Sequence, residues 1–117
     1  MTRRSLPSWP EVAADLVAVA AGRAPADLVI RNAAWVNVHS REVIEGTDIA
    51  IRCSRFAYCG PDASMMIGPD TRVIDAGGRF AIPGLCDAHM HVESGMLTVS
   101  QFVGAVVPHG TTTMFID

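Results

Sequence analysis

Ile82-Pro83-Gly84-Leu85-Cys86-Asp87-Ala88-His89-Met90-His91-Val92-Glu93-Ser94 is the stretch on which the reading of this chain turns. If the run is extended, alternate side chains share a face. Asp87, His89, His91 and Glu93 then point one way, and Cys86, Ala88, Met90 and Val92 the other. Two histidines two apart on a strand have Cα atoms roughly 6 to 7 Å apart, close enough for both rings to reach one divalent ion at about 2.0 to 2.1 Å. The competing interpretation is that a His-x-His is common in soluble chains and can be half of a solvated strand face. The Pro83-Gly84 break at the strand start, the carboxylate on either side of the pair and the helix signal that follows favour the metal interpretation.

Downstream, Thr98 and Gln101 form a capping-box pattern, and Val99, Phe102, Val103, Val106 and Val107 carry helical spacing until Pro108 and Gly110. Thr111 to Ile116 is β-branched and apolar, which predicts a buried strand. Strand, helix and strand over roughly thirty residues make a βαβ unit, with parallel strands and a right-handed crossover expected. His109 closes the helix, where a cation is favoured by the helix dipole, so its expected role is structural.

Upstream, the texture is one of short β-branched runs: Leu28 to Arg31, Trp35 to His39, Thr47 to Arg52, Phe56 to Cys59, Arg72 to Asp75 and Arg79 to Ile82. Gly46, Gly60-Pro61, Gly68-Pro69 and Gly77-Gly78 punctuate them. The expectation is a small antiparallel β unit with a hairpin at Gly77-Gly78. His39, at a strand end beside Ser40 and Arg41, is expected in a turn. Ahead of these runs, Ser8 and Glu11 again make a capping box, Pro10 suits a first turn and Gly22 a stop. This predicts a packing helix over Ser8 to Ala21 with Val12, Leu16, Val19 and Ala20 as its apolar stripe. Three segments follow: 1–26 helical, 27–82 a small β domain, and 83–117 an α/β piece.

The composition, 50% hydrophobic and 18% charged over 117 residues, is that of a folded globular chain of at most one domain's length. Its nine basic residues are all arginine against twelve acidic ones, giving a net charge of -3, so no basic nucleic-acid surface is expected. Cys53, Cys59 and Cys86 lack the spacing of a structural zinc site or a disulfide framework and are expected as buried thiols in a reducing compartment. Arg3 and Arg4 are followed by Pro7, Pro10, Glu11 and Asp15, which fits neither a signal peptide nor a membrane span. A cytoplasmic location is the expectation. Because so apolar a strand as 111–116 needs neighbours, the chain is also expected to be the N-terminal piece of a longer one.

Pro83-Gly84-Leu85-Cys86-Asp87-Ala88-His89-Met90-His91 resembles the first-strand motif of the amidohydrolase superfamily, and Val73 to Ile82 resembles the usual run into it. His91-Val92-Glu93-Ser94-Gly95-Met96-Leu97-Thr98 and Pro108-His109-Gly110-Thr111-Thr112-Thr113 resemble the adenine deaminase family within it. The resemblance implies an α/β fold: an N-terminal helix, a small β-sandwich-type domain, and the first βαβ unit of a (β/α)8 TIM-like barrel. Active sites of such barrels lie where strands end, which suits His89, His91 and Glu93. The implied reaction is hydrolytic deamination of adenine to hypoxanthine and ammonia, with His89 and His91 as metal ligands. The implied centre is binuclear with manganese or iron, zinc being an alternative, in a homo-oligomer that acts on a small purine away from membranes.

Glu93 could touch metal, substrate or a neighbouring ligand, or simply be solvated. Asp87 could orient a histidine through its free ring nitrogen or make a structural hydrogen bond. Asp117 could point into the site. Two histidines do not complete a catalytic metal site, which takes three protein ligands and an open position. Two rival functions stay open: a cyclic amidohydrolase of the dihydroorotase or hydantoinase kind, and a non-catalytic remnant.

Overall fold

The computed structural model describes residues 6–116, in two compact units, one ending at Ile82 and the other starting at Pro83. The first unit opens with helix α1, Trp9–Ala20, capped by Ser8. The Glu11 carboxylate accepts from the Ser8 hydroxyl at 2.8 Å and from its backbone N–H at 2.6 Å. These bonds, the hydroxyl's first, hold the Glu11 pKa below the usual carboxylate value. Val12, Leu16 and Val19 are buried at helical spacing, while Ala20 faces solvent. Gly22, at φ +67, takes the left-handed step that ends the helix. The Arg55 guanidinium stacks over Trp9 at 4.6 Å and donates to the Pro7 carbonyl, which ties the helix start to the sheet.

Strands β1 (Leu28–Asn37), β2 (Glu42–Arg52), β3 (Arg55–Gly60), β4 (Arg72–Asp75) and β5 (Phe80–Ala81) form one sheet in the order β3-β2-β1-β4, with β5 also on β1. The helix packs on β2 and β3. Its Val19 joins Ala26, Val29, Ala50, Ala63 and Met66 in the core. Three of those six are alanines, whose short side chains let a helix approach a sheet closely. This is one sheet with a helix on it, so the sandwich expectation is corrected: among the described residues of this unit no second sheet faces the first.

The sheet is also mixed rather than antiparallel. β1 pairs antiparallel with β2, but β4 and β5 both run parallel to β1, against Leu28–Arg31 and Ala34–Trp35 respectively. Gly77 and Gly78 do adopt positive φ, +58 and +78, and Arg79 N–H bonds the Ala76 carbonyl across them. That is the turn the glycines predicted. It closes no hairpin, however, because the chain leaves it travelling in the direction it entered and continues along the same neighbour. A glycine pair specifies the local bend, whereas the strand it next meets is set by distant residues.

Two predicted breaks are bulges inside continuous strands. Asn32, at φ +53, kinks β1 between Ile30 and Ala33. Gly46, at φ +63, lies where Thr47 to Ile44 on β2 spans one residue more than Ala33 to Trp35 on β1, and the Thr47 hydroxyl bonds the Ile44 carbonyl at 2.9 Å. His39 sits in the exposed turn between β1 and β2, where the Asn37 side chain accepts from the His39 and Ser40 N–H groups.

Among the described residues of this unit the buried charged side chain is Asp48, 4% exposed, beside the buried Thr47. One carboxylate oxygen accepts the Asn32 N–H at 2.9 Å and the other the Ala63 N–H at 3.0 Å. Arg31 lies 3.6 Å away and is half exposed, so it contributes little. Asp48→Ala leaves two N–H groups without partners and is expected to lower unfolding stability by about 2 to 5 kcal/mol. Asp48→Asn, which keeps one acceptor, costs less; urea titration of both variants checks the order.

The cysteine expectation holds only in part. Cys53 and Cys59 are half-buried, and Cys86 is exposed. Burial raises the Cys59 thiol pKa, and a raised pKa means less thiolate. With a maleimide near the ordinary thiol pKa of about 8.5, Cys86 is expected to label first and Cys59 last, as read by peptide mass mapping.

Candidate metal centre

The second unit contains strand β6 (Leu85–Met90), helix α2 (Val99–Val106) and strand β7 (Thr111–Ile116). β6 and β7 are parallel, with Leu85 beside Thr111 and Met90 beside Ile116, so the βαβ unit forms as the pattern predicts. Thr98 caps α2: its hydroxyl accepts the Gln101 N–H, and the Gln101 side chain accepts the Thr98 N–H at 3.0 Å. The α-helix ends at Val106, and a 3₁₀ turn over Val107–His109 leads through Gly110, φ +95, into β7. His109 is exposed in that turn. Gly84 passes so close to Thr112 that a side chain there would overlap the threonine. This accounts for the glycine at the strand entrance.

The extended run is shorter than expected. β6 stops at Met90, Val92 takes helical angles (φ -64, ψ -36) and is buried, and Glu93–Gly95 forms a 3₁₀ turn. His89 is therefore the last imidazole on the strand, and His91 stands just past its end.

The two rings nevertheless converge. His89 Nε2 and His91 Nε2 are 2.9 Å apart, with the rings edge to face at 4.6 Å between centroids. His91 Nδ1 lies 3.0 Å from Glu93 Oε1, with both side chains about half exposed. The Glu93 pKa is lowered, first by a hydrogen bond to its own backbone N–H and then by His91. Asp87 takes a different place: its carboxylate accepts the His89 backbone N–H at 3.1 Å, a structural bond to the main chain of the histidine. Asp117 lies outside the described residues.

Two nitrogens held about 2.1 Å from one ion at a right angle are about 3.0 Å apart, close to the separation of the two Nε2 atoms. Imidazole nitrogens are also the common donors for zinc, iron and related ions. The pair thus fits one edge of a metal coordination sphere. Among the described residues no group of three or more His, Cys, Asp or Glu side chains is arranged to hold an ion.

Known structures share this fold. L-Hydantoinase (dihydropyrimidinase) from Arthrobacter aurescens matches 75% of this chain and 20% of its own, with a TM-score of 0.58 and 24% identity. Molinate hydrolase matches 79% of this chain and 24% of its own, with a TM-score of 0.62 and 18% identity. Over the matched residues, the fold of this chain, its parallel β6–α2–β7 unit included, is the fold these two hydrolases share with it. No protein-family model matches the chain.

Likeness in sequence is higher. The chain is 66% identical over all 117 residues to an adenine deaminase of Ruegeria sp. and 71% identical over 109 residues to one of Mesorhizobium japonicum, and it is 52% identical to one of Clostridium botulinum. Over all or nearly all of its length the chain is thus similar to proteins named adenine deaminase. The chain spans about a fifth of the length of the curated relatives it matches.

If the pair takes an ion, Zn2+ added to 15N-labelled chain should shift the ring nitrogens of His89 and His91 and leave those of His39 and His109 in place. Equal shifts at all four rings would show nonspecific binding.

Proposed function

We propose that this chain supplies part of the metal centre of an adenine deaminase, which hydrolyses adenine to hypoxanthine and ammonia. The observation that carries the reading is the convergence of His89 Nε2 and His91 Nε2 at 2.9 Å at the end of a β6–α2–β7 unit, in a chain 66% identical to a protein of that name. When bound, a divalent ion supplies the Lewis acidity that makes water a nucleophile near neutral pH. His89 and His91 hold it as neutral nitrogen donors. Manganese or iron is the proposed metal, with zinc as the alternative, and the centre is binuclear.

In this reading β6, α2 and β7 open a (β/α)8 barrel, whose site lies where its strands end. Two histidines leave the catalytic centre incomplete, so the remaining ligands and the main proton-carrying carboxylate come from residues other than these. Segment 27–82 is the small β domain that accompanies the barrel. The partner is a small purine, bound in a cytoplasmic homo-oligomer. Among the described residues no helix is long and apolar enough to cross a membrane, and the all-arginine basic complement offers no stripe for nucleic acid.

The test is a chimera in which this chain replaces the matching segment of the Ruegeria sp. protein. It is expected to release ammonia from adenine in the presence of Mn2+, and His89→Ala or His91→Ala should reduce the rate at least about 100-fold, since removing a ligand opens the centre. The isolated 117-residue chain is expected to release none. A folded chimera that stays inert beside an active parent would overturn the proposal.

A further inference from the structure

The hydrogen bonds around the histidine pair impose an order on its protons. An ionised carboxylate accepts only, so the His91 Nδ1···Glu93 Oε1 contact at 3.0 Å requires a proton on Nδ1. In a neutral ring the other nitrogen then carries the lone pair. That nitrogen, Nε2, faces His89 Nε2 at 2.9 Å. The rest of the local structure holds Glu93 for this contact. Val92 is buried at 5% exposure and anchors the bend, and the 3₁₀ turn at Glu93–Gly95 folds the carboxylate back toward His91.

We propose that Glu93 is a positioning residue that fixes His91 in its Nδ1–H tautomer and so presents the His91 Nε2 lone pair beside His89, toward the shared ion. The proposal rests on the metal reading of the pair, and it assigns Glu93 neither to the metal nor to proton transfer with substrate.

The tautomers are read directly by long-range 1H–15N correlation on the 15N-labelled chain, without metal, at a pH about 1.5 above the ordinary histidine pKa of about 6.5. The expected result is His91 as Nδ1–H in the wild type and in Glu93→Gln, whose amide oxygen still accepts, with that tautomer lost in Glu93→Ala. In parallel, Mn2+ affinity, measured by paramagnetic broadening of the two rings, should fall about 10- to 100-fold in Glu93→Ala and only a few-fold in Glu93→Gln. His91 found as Nε2–H in the wild type, or unchanged in Glu93→Ala, overturns the proposal. So does a Glu93→Gln variant as impaired as Glu93→Ala, which would make the carboxylate charge itself a ligand. A wild type with the Nδ1–H tautomer but no Mn2+ broadening at either ring supports the positioning and counts against the metal reading alone.

Discussion

A buried carboxylate organises the first unit. Asp48 sits in the middle of the sheet on β2, and its two oxygens reach opposite ways, to the Asn32 N–H in the kink of β1 and to the Ala63 N–H in the loop after β3. The kink puts Asn32 at φ +53, in the left-handed region that asparagine enters more readily than most side chains. Around it the neighbouring segment wraps in register: Ala76 N–H bonds the Arg31 carbonyl, Gly78 N–H bonds the Asn32 carbonyl, and Ala34 N–H bonds the Arg79 carbonyl. The bend at Gly77-Gly78 is therefore the partner of the bend at Asn32, and β4 and β5 follow the two halves of one kinked strand. The other oxygen fixes the segment carrying Ala63 and Met66, which closes the core over Val19 and Val29. Polar satisfaction and apolar packing meet at one residue.

The second unit depends on a different constraint, the ending of a strand. Were the chain extended through Ser94, His91 and Glu93 would simply repeat the spacing of Asp87 and His89. Instead the strand stops at Met90 and Val92 turns inward. The stop lets His91 fold its ring against His89, and it brings Glu93 within hydrogen-bond distance of His91. The candidate site arises because regular structure ends there.

Much was legible from local signals. Both capping boxes, Ser8 with Glu11 and Thr98 with Gln101, mark real helix starts, because a cap is satisfied within three residues of sequence. The βαβ unit was legible from the switch in apolar period, and the histidine pair from its spacing. The parallel placement of β4 and β5 was not legible, since a Gly-Gly turn carries no information about which distant strand its arms will meet. Asp48 gave no signal either. An aspartate between Thr47 and Ile49 reads as an edge or turn residue until its partners, sixteen residues back and fifteen ahead, are in view.

The sequence by itself determined the local elements, the residue types able to bind a metal and the resemblance carried by Pro83 to His91. These depend on contacts between near neighbours or on the identity of the residues themselves. The tertiary structure decided that the β unit is a single mixed sheet, that Cys86 is exposed, that Asp87 bonds the main chain of His89, and that Glu93 addresses His91. Each of these depends on where the chain bends or whom it meets at long range, and a one-residue change in where a strand stops redirects every side chain beyond it.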